Sequence, residues 1–408
     1  MARRKKVVDA RQAALEALVA DVETPGQMEA LFRALKQRMV EQVLQAELTT
    51  HLGYPPGAGR GADGNARNGT TPKTVLTDEG ALPLEIPRDR AGTFTPAFVP
   101  KGVRRLPGFD QKVLSLYARG LTVRDLQAHL EECYQVPVSA DVITAVTDAV
   151  WDEVHAWQQR PLEPVYVAVA LDGLRVKMRT EGLVRQQVVY FALGFLPDGT
   201  KDVLGFWIAA EESATFWQRV LTELRGRGVQ DILIALIDGL AGFPQAIEAV
   251  FPDTVVHQCV VHLVRQSLRG VNWRERKAVG AALREVYLAP GEAAAQHALA
   301  TFAASPLGIQ YPEVVALWQR HWERVAPALQ YPVPVRRLLY STNAIESLHA
   351  TLRKSLKVRG HFPNADAATK LLYLALHHVT PRLRVPTRWR EAMRHIRLLY
   401  GERVPADG

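Results

Sequence analysis

Residues 165–179 read "VYVAVALDGLRVKMR", and the fold turns on them. The run is β-rich, and its apolar part stops at Asp172. Two more β-rich runs follow, "RQQVVYFALGFLPDG" (185–199) and "KDVLGFWIAAE" (201–211), set off by the charged "RTEGL" and by "PDG". Turn residues between strand-forming runs predict antiparallel neighbours. "SATFWQRVLTELRGRG" (213–228) predicts a helix capped by Ser213. "QDILIALIDG" (230–239) is a short, fully apolar strand of the buried type. "GFPQAIEAVFP" then reads as a helix, and "TVVHQCVVHL" as a strand running into another helix.

The order is β-β-β-α-β-α-β-α. Three antiparallel strands followed by strands with helical crossovers make a mixed sheet. This is the order of a ribonuclease-H-like core, so the predicted class is α/β. Residues 161–263 form the first part of that core. Residues 264–338 are periodic and helical, which predicts an all-helical insertion, and 339–408 return to the core with basic helices. Residues 9–52 predict one long amphipathic helix within an N-terminal helical region (1–52), a candidate dimer interface. Residues 53–107 read as a linker and a β-hairpin around "DEG". The Gly/Pro-rich part of it (53–72) carries Arg60, Arg67 and Asn68, which suit a phosphate backbone. Residues 108–160 hold three closely spaced helical stretches, 108–120, 122–134 and 139–160. Thr122 and Ser139 are the expected caps, and Gly120 the expected opening of a tight turn. That is the pattern of a helix-turn-helix DNA reader, although many small bundles share it.

Composition narrows the function. Net charge is +8, yet residues 351–408 hold 12 Lys+Arg against 4 Asp+Glu, so the whole excess lies at the C-terminal end. Such a distribution suggests a surface for a polyanion, nucleic acid first. Two cysteines, Cys133 and Cys259, argue against a disulfide framework and predict a reducing cytoplasm. The basic start lacks an apolar core and is not read as a signal peptide, and no apolar run reaches the length of a membrane span.

Asp172 and Asp238 each follow a buried apolar run and precede a glycine. Either "DG" alone reads as a turn. Together they predict two carboxylates at the ends of neighbouring strands, an arrangement that is costly without a cation. A third carboxylate comes from "STNAIESLHATLRKSLKVRG" (341–360). Helical spacing places Glu346, Arg353 and Lys357 on one stripe, with His349 at its flank and Lys354 and Arg359 nearby. Two readings of Glu346 stand: the far member of a capping box begun by Asn343, or a metal ligand that works beside phosphate. Under the second, Asp172, Asp238 and Glu346 make an oxygen-ligand site suited to Mg²⁺, with Mn²⁺ as substitute. Arg353, Lys357 and Arg359 would then hold the nucleic acid backbone.

"HQCVVHL" offers His257, Cys259 and His262, but a lone C-x-x-H lacks the further ligands of a zinc site. His262, Arg265 and Arg269 share i, i+3, i+7 spacing, a face suited to a scissile phosphate. Trp273, Trp318 and Trp322, in the helical insertion, read as core rather than as base-stacking platforms.

At "HLGYPPG", "NARNG", "IPRDR", "LSLYARGLTVRDLQAHL", "VALDGLRVK", "LIDGLAGFPQAIEAVFP", "CVVH", "STNAIESL" and "RGHFPNADAATKLLYLAL" the chain resembles the bacterial branch of the Mutator-type DDE transposases. The resemblance covers nearly the whole chain. It implies a ribonuclease-H-like core with a helical insertion and an acidic triad of Asp172, Asp238 and Glu346. It also implies a role near the active site for Cys259 and His262, with His262 taken as catalytic. Such enzymes cut DNA at inverted-repeat ends and join the 3′-hydroxyl to another strand, and bacterial members use a circular intermediate. A homodimer or larger assembly on end and target DNA, at the nucleoid, is the corresponding expectation. Gly173 stands where relatives more often carry Ala, and His349 where Asn is commoner; the latter bears on the contacts around Glu346 and on His349 as a DNA contact. The rival readings are a DNA-binding regulator on the same scaffold and a structure-selective nuclease that does not join strands.

Overall fold

A computed structural model describes residues 12–58, 64–134, 138–239, 242–340, 343–380, 383 and 385–405. They divide into two compact units, residues 1–115 with 123–146, and residues 116–122 with 147–408.

The first unit opens with helix α1 (12–19) and α2 (Pro25–Leu52). The single helix expected over 9–52 is interrupted at 20–24. Thr24 caps α2 in a full capping box with Gln27, and Pro25 sits in its first turn. Proline's fixed φ and missing N–H suit a helix start and not an interior. Strands β1 (Arg67–Thr77) and β2 (Gly80–Asp89) form the expected hairpin, with Thr77 paired to Gly80 across the Asp78–Glu79 turn. β1 begins inside the 53–72 stretch read as Gly/Pro-rich linker, because β2 is long enough to pair Arg67 and residues 70–72 as well. Val40 and Leu44 of α2 pack on Val75, Leu82 and Leu84 of the hairpin. Arg67 does not project along a surface: its guanidinium donates to Gln45, Thr49 and the Tyr54 carbonyl at 2.7–3.2 Å. Arg60 lies outside the described residues. Helices α3 (Pro107–Ala118), α4 (Val123–Tyr134) and α5 (Ala140–Asp148) follow, with Ser139 Oγ accepting from the Val142 amide as a cap.

The second unit holds α6 (Trp151–Gln159), where the expected 139–160 helix is broken at residues 149–150. Then come β3 (Val165–Thr180), β4 (Leu183–Phe195), β5 (Lys201–Ala209), α7 (Ala214–Gly226), β6 (Asp231–Ile237), α8 (Phe243–Val250), β7 (Val255–Gln258) and α9 (Val260–Ser267). The element order is the one read from the sequence. The five strands form one mixed sheet, ordered β5-β4-β3-β6-β7. β3, β4 and β5 pair antiparallel, while β6 lies parallel to β3, and β7 parallel to β6. Ser213 caps α7 as expected, accepting from the Phe216 amide. One apolar core joins the sheet to α7 and α8 through Tyr166, Leu171, Tyr190, Trp217, Ile237 and Phe243. Trp217 meets the Tyr190 and Phe243 rings edge-on at 5.0 and 5.3 Å, a favoured arrangement of aromatic quadrupoles.

Helices α10 (Arg276–Leu288), α11 (Glu292–Ala304), α12 (Pro306–Gln310), α13 (Pro312–Arg320) and α14 (Trp322–Leu329) pack with α9 around a second core. Trp318 is fully buried there and donates to Ser267 Oγ at 3.0 Å. Trp273 departs from the core expectation: it is 74% exposed, in the segment between α9 and α10. The chain continues as α15 (Val333–Tyr340), α16 (Asn343–Arg359), α17 (Ala365–Val379) and α18 (Trp389–Tyr400). Among the described residues no helix is long and apolar enough to cross a membrane.

Candidate active site

Sheet register sets the site. The last parallel pair between β3 and β6 is Leu171 with Ile237. Asp172 and Asp238 are the next residues on each chain, so two adjacent strands deliver their carboxylates to one place. Asp172 does not lie in a turn, contrary to one reading of its "DG"; β3 continues eight residues beyond it, paired to β4. Gly173 is a strand glycine. A Cβ there would lie 2.8 Å from Val188 Cγ1, so a larger residue requires that valine to shift.

β7 places the third group. Gln258 pairs with Ile237, and the Cys259 amide donates to the Ile237 carbonyl at 2.8 Å. Cys259 is the N-cap of α9, its Sγ accepting from the His262 amide at 3.4 Å. The C-x-x-H spacing is thus the spacing of a helix cap to its third residue. Residue 262 is thereby fixed one turn into α9, facing Asp238. The His262 ring has Nδ1 3.6 Å from Asp238 Oδ1 and Nε2 3.6 Å from Glu346 Oε1. Ligand atoms of Asp172, Asp238 and His262 all lie within 4.8 Å of one another, and this is the one such cluster of three among the described residues. Cys259 takes no part in it.

α16 brings Glu346 and His349. Ile345, Leu348 and Leu352 are buried, which docks one face of the helix. His349 is 1% exposed and packs edge-on against Phe191 at 5.2 Å. Its Nδ1 lies 3.1 Å from Asp172 Oδ2, within ion-pair range though not aligned for a hydrogen bond. The sequence placed His349 on the DNA face and near Glu346; burial removes it from any phosphate, and its partner is Asp172. The i, i+3 spacing from Glu346 was the available signal, since it puts both residues on the helix face that meets the sheet. Glu346 itself is held by Arg265, Oε1 to Nη2 at 2.9 Å. It does not join the Asp172–Asp238–His262 trio at the same spacing, although its Oε1 lies 3.6 Å from the His262 ring. α16 begins at Asn343, whose side chain, with residues 341 and 342, lies outside the described set, as does the capping-box reading.

The two aspartates are pushed in opposite directions. Burial raises both. At Asp172 it is outweighed by His349, His262 and the Gly173 amide, which donates to Oδ1 at 2.8 Å, and the carboxyl lies below its ordinary range. At Asp238 burial, reinforced by the charge of Asp172, prevails over His262, Arg265 and Arg269, and the carboxyl is raised. Two acids whose affinities for a proton are driven apart share one site.

The basic residues separate into two groups. Arg265, Arg269, Arg353, Lys354 and Lys357 are exposed. α9 ends at Ser267, so Arg269 lies beyond the helix, although its charge still acts on Asp238. Arg359 is committed to the protein. It stacks over Tyr117 at 4.1 Å, bonds the Tyr117 hydroxyl at 3.1 Å and donates to the Leu121 carbonyl at 2.9 Å. Gly120 fits the same contact: its φ is +102°, and a Cβ would lie 2.1 Å from the Ser355 carbonyl of α16.

The family described as "Transposase, Mutator family" matches residues 8–382. A probable transposase for an ISRM3-like insertion sequence element from Sinorhizobium fredii is 50% identical over 370 residues, covering 90% of this chain and 92% of its own. The transposase for insertion sequence element ISRM3 from Rhizobium meliloti is 49% identical over the same shares. The transposase for IS256 in transposon Tn4001 from Staphylococcus aureus is 27% identical, over 75% of this chain and 79% of its own.

Proposed function

This chain belongs to the Mutator family of transposases, and we propose that it cleaves DNA at transposon ends and joins the exposed 3′-hydroxyl to another DNA strand. The observation that carries this reading is the meeting of Asp172 and Asp238 just past the last paired residues of two adjacent parallel strands, with His262 within 4.8 Å and Glu346 next to it on α16. The strand order supports assigning the sheet and its helices to a ribonuclease-H-like core, with α10–α14 as the insertion.

The donor set fits a divalent cation. Two carboxylates are hard oxygen ligands, and the raised proton affinity of Asp238 comes from burial, reinforced by the neighbouring charge of Asp172 that a cation would offset. His262 Nδ1 is buried and has no hydrogen-bond partner. Asp172 and Asp238 would hold Mg²⁺, or Mn²⁺ in its place, with Glu346 completing the set. Bound there, such ions supply activation of the attacking oxygen and stabilisation of the leaving one. The chain's own residues do the rest. His349 and the Gly173 amide fix the orientation of Asp172. Arg265 and Arg269 flank the phosphate to be cut, and Arg353 and Lys357 hold the backbone farther along α16. A DNA substrate suits work in the cytoplasm, at the nucleoid.

Cutting two ends together calls for more than one copy. The exposed apolar residues Met28, Phe32, Met39 and Val43 recur along α2 at helical spacing and suit self-association. A gel-filtration mass of one chain, with and without DNA, would refute it.

The deciding test is Asp172→Asn. It should abolish metal-dependent strand cleavage and joining of a pre-cut 3′ end, with DNA binding retained. Undiminished cleavage would sink the assignment. Cleavage without joining in the unaltered protein would leave a nuclease.

A further inference from the structure

Glu346 and Arg265 make a contact that the proposed chemistry cannot keep. One oxygen of Glu346 takes both Arg265 Nη2, at 2.9 Å, and His262 Nε2, at 3.6 Å. In this arrangement Glu346 stands outside the trio of Asp172, Asp238 and His262. A carboxylate oxygen paired to a guanidinium offers less to a metal, and the guanidinium's charge repels the ion. The obstacle is one arginine side chain, not a misplaced helix. α16 is docked by Ile345, Leu348 and Leu352, and His349, one turn past Glu346, reaches Asp172 from the same helix.

Arg265 is placed to leave. Its side chain is 53% exposed and sits in the last turn of α9. It meets Glu346 through one nitrogen only, whereas a phosphate can take two parallel N–H bonds from the guanidinium fork. Arg269 is exposed close by, and its positive charge makes the same ground attractive to an anion. The His262 ring lies 3.6 Å from both Glu346 Oε1 and Asp238 Oδ1, so a single imidazole separates this carboxylate from the aspartate pair.

We infer that Arg265 is a positioning residue that holds Glu346 off the Asp172–Asp238 pair until a DNA phosphate takes its guanidinium, so that the substrate itself completes the acidic triad. This rests on the metal reading proposed above. The device ties hydrolytic competence to bound DNA: without a strand in place the third carboxylate stays withdrawn. Linkage requires reciprocity, so DNA tightens metal binding and metal tightens DNA binding by the same factor.

The experiment uses the full chain with Mn²⁺ as probe, its binding followed by electron paramagnetic resonance, with and without a duplex of arbitrary sequence. In the unaltered chain the duplex should tighten Mn²⁺ by about two- to fivefold, the range that a partly exposed ion pair can hold back. Arg265→Ala should bind Mn²⁺ tighter by a similar factor before DNA is added, and the duplex should add little more. Arg265→Lys, which restores the charge, should regain the dependence on DNA. Arg265→Ala that binds Mn²⁺ no tighter than the unaltered chain in the absence of DNA would overturn the inference while leaving the metal site intact. Equal Mn²⁺ binding by the unaltered chain and Asp172→Asn would instead remove the metal reading, and the role of Arg265 with it.

Discussion

His257 tests how the candidate site is supported from beneath. It lies in β7, the strand that positions α9, and is 1% exposed, edge-on to Tyr331 at 5.5 Å. Burial pushes the imidazole down from 6.5 to about 4, opposed only by the backbone of Arg324. The ring is therefore neutral in the folded chain and must stay so. For a base whose folded value is depressed, stability is complete above the unfolded value and falls as pH drops toward the folded one. The window here runs from about 6.5 down to about 4. A fall from 6.5 to about 4 corresponds to a ceiling of about 3.4 kcal/mol. Roughly 2 kcal/mol of that is lost by pH 5. Asp89 and Asp172, both held below the ordinary carboxylate range, act at lower pH and do not overlap this window. Asp238, whose carboxyl is raised, works the other way and gains on acidification. The assay is urea unfolding at pH 7.5 and pH 5 followed by tryptophan fluorescence. All eight tryptophans lie in the second unit, so the signal reports the unit that holds His257. His257→Gln should lose about 2 kcal/mol less than the unaltered chain between the two pH values. An identical pH dependence in both proteins would refute the argument, because the acid sensitivity would then belong to other groups.

Two other substitutions separate core from surface. Trp318→Ala should cost roughly 3–5 kcal/mol by leaving a large cavity, while Trp273→Ala should stay within about 0.5 kcal/mol; equal effects in denaturant melts would contradict their different burial. On the basic face, the double change Arg353→Ala and Lys357→Ala should weaken DNA binding and lower the slope of log affinity against log salt by about 1.8. Arg359→Ala should leave that slope nearly unchanged and lower stability instead, since its guanidinium is held by Tyr117 and Leu121; a full unit of slope lost there would make it a phosphate contact.

Much of this protein is written locally. The strand and helix order of the second unit follows from apolar runs ended by turn residues, because a strand buried on both faces has no other composition available to it. The same runs mark Asp172 and Asp238, since a carboxylate just past a buried apolar run interrupts the pattern. The hairpin of β1 and β2, the Ser213 and Ser139 caps and the turn at Gly120 are short-range effects that a few residues determine. The break before α2 was equally local, a Thr24–Gln27 capping box with Pro25 inside it, and was obscured only by the strong periodicity on either side. Tertiary structure decided what each charged side chain faces. Periodicity put Arg359 and His349 on a basic helix face, yet one is tied to Tyr117 and the other to Asp172, partners far away along the chain. Arg265 read as a phosphate contact, and here it holds Glu346, a residue 81 positions later. Helical spacing fixes the direction in which a side chain leaves its helix. What it meets there depends on which other elements the sheet register and core packing have brought alongside, and that information lies in no single stretch of the chain.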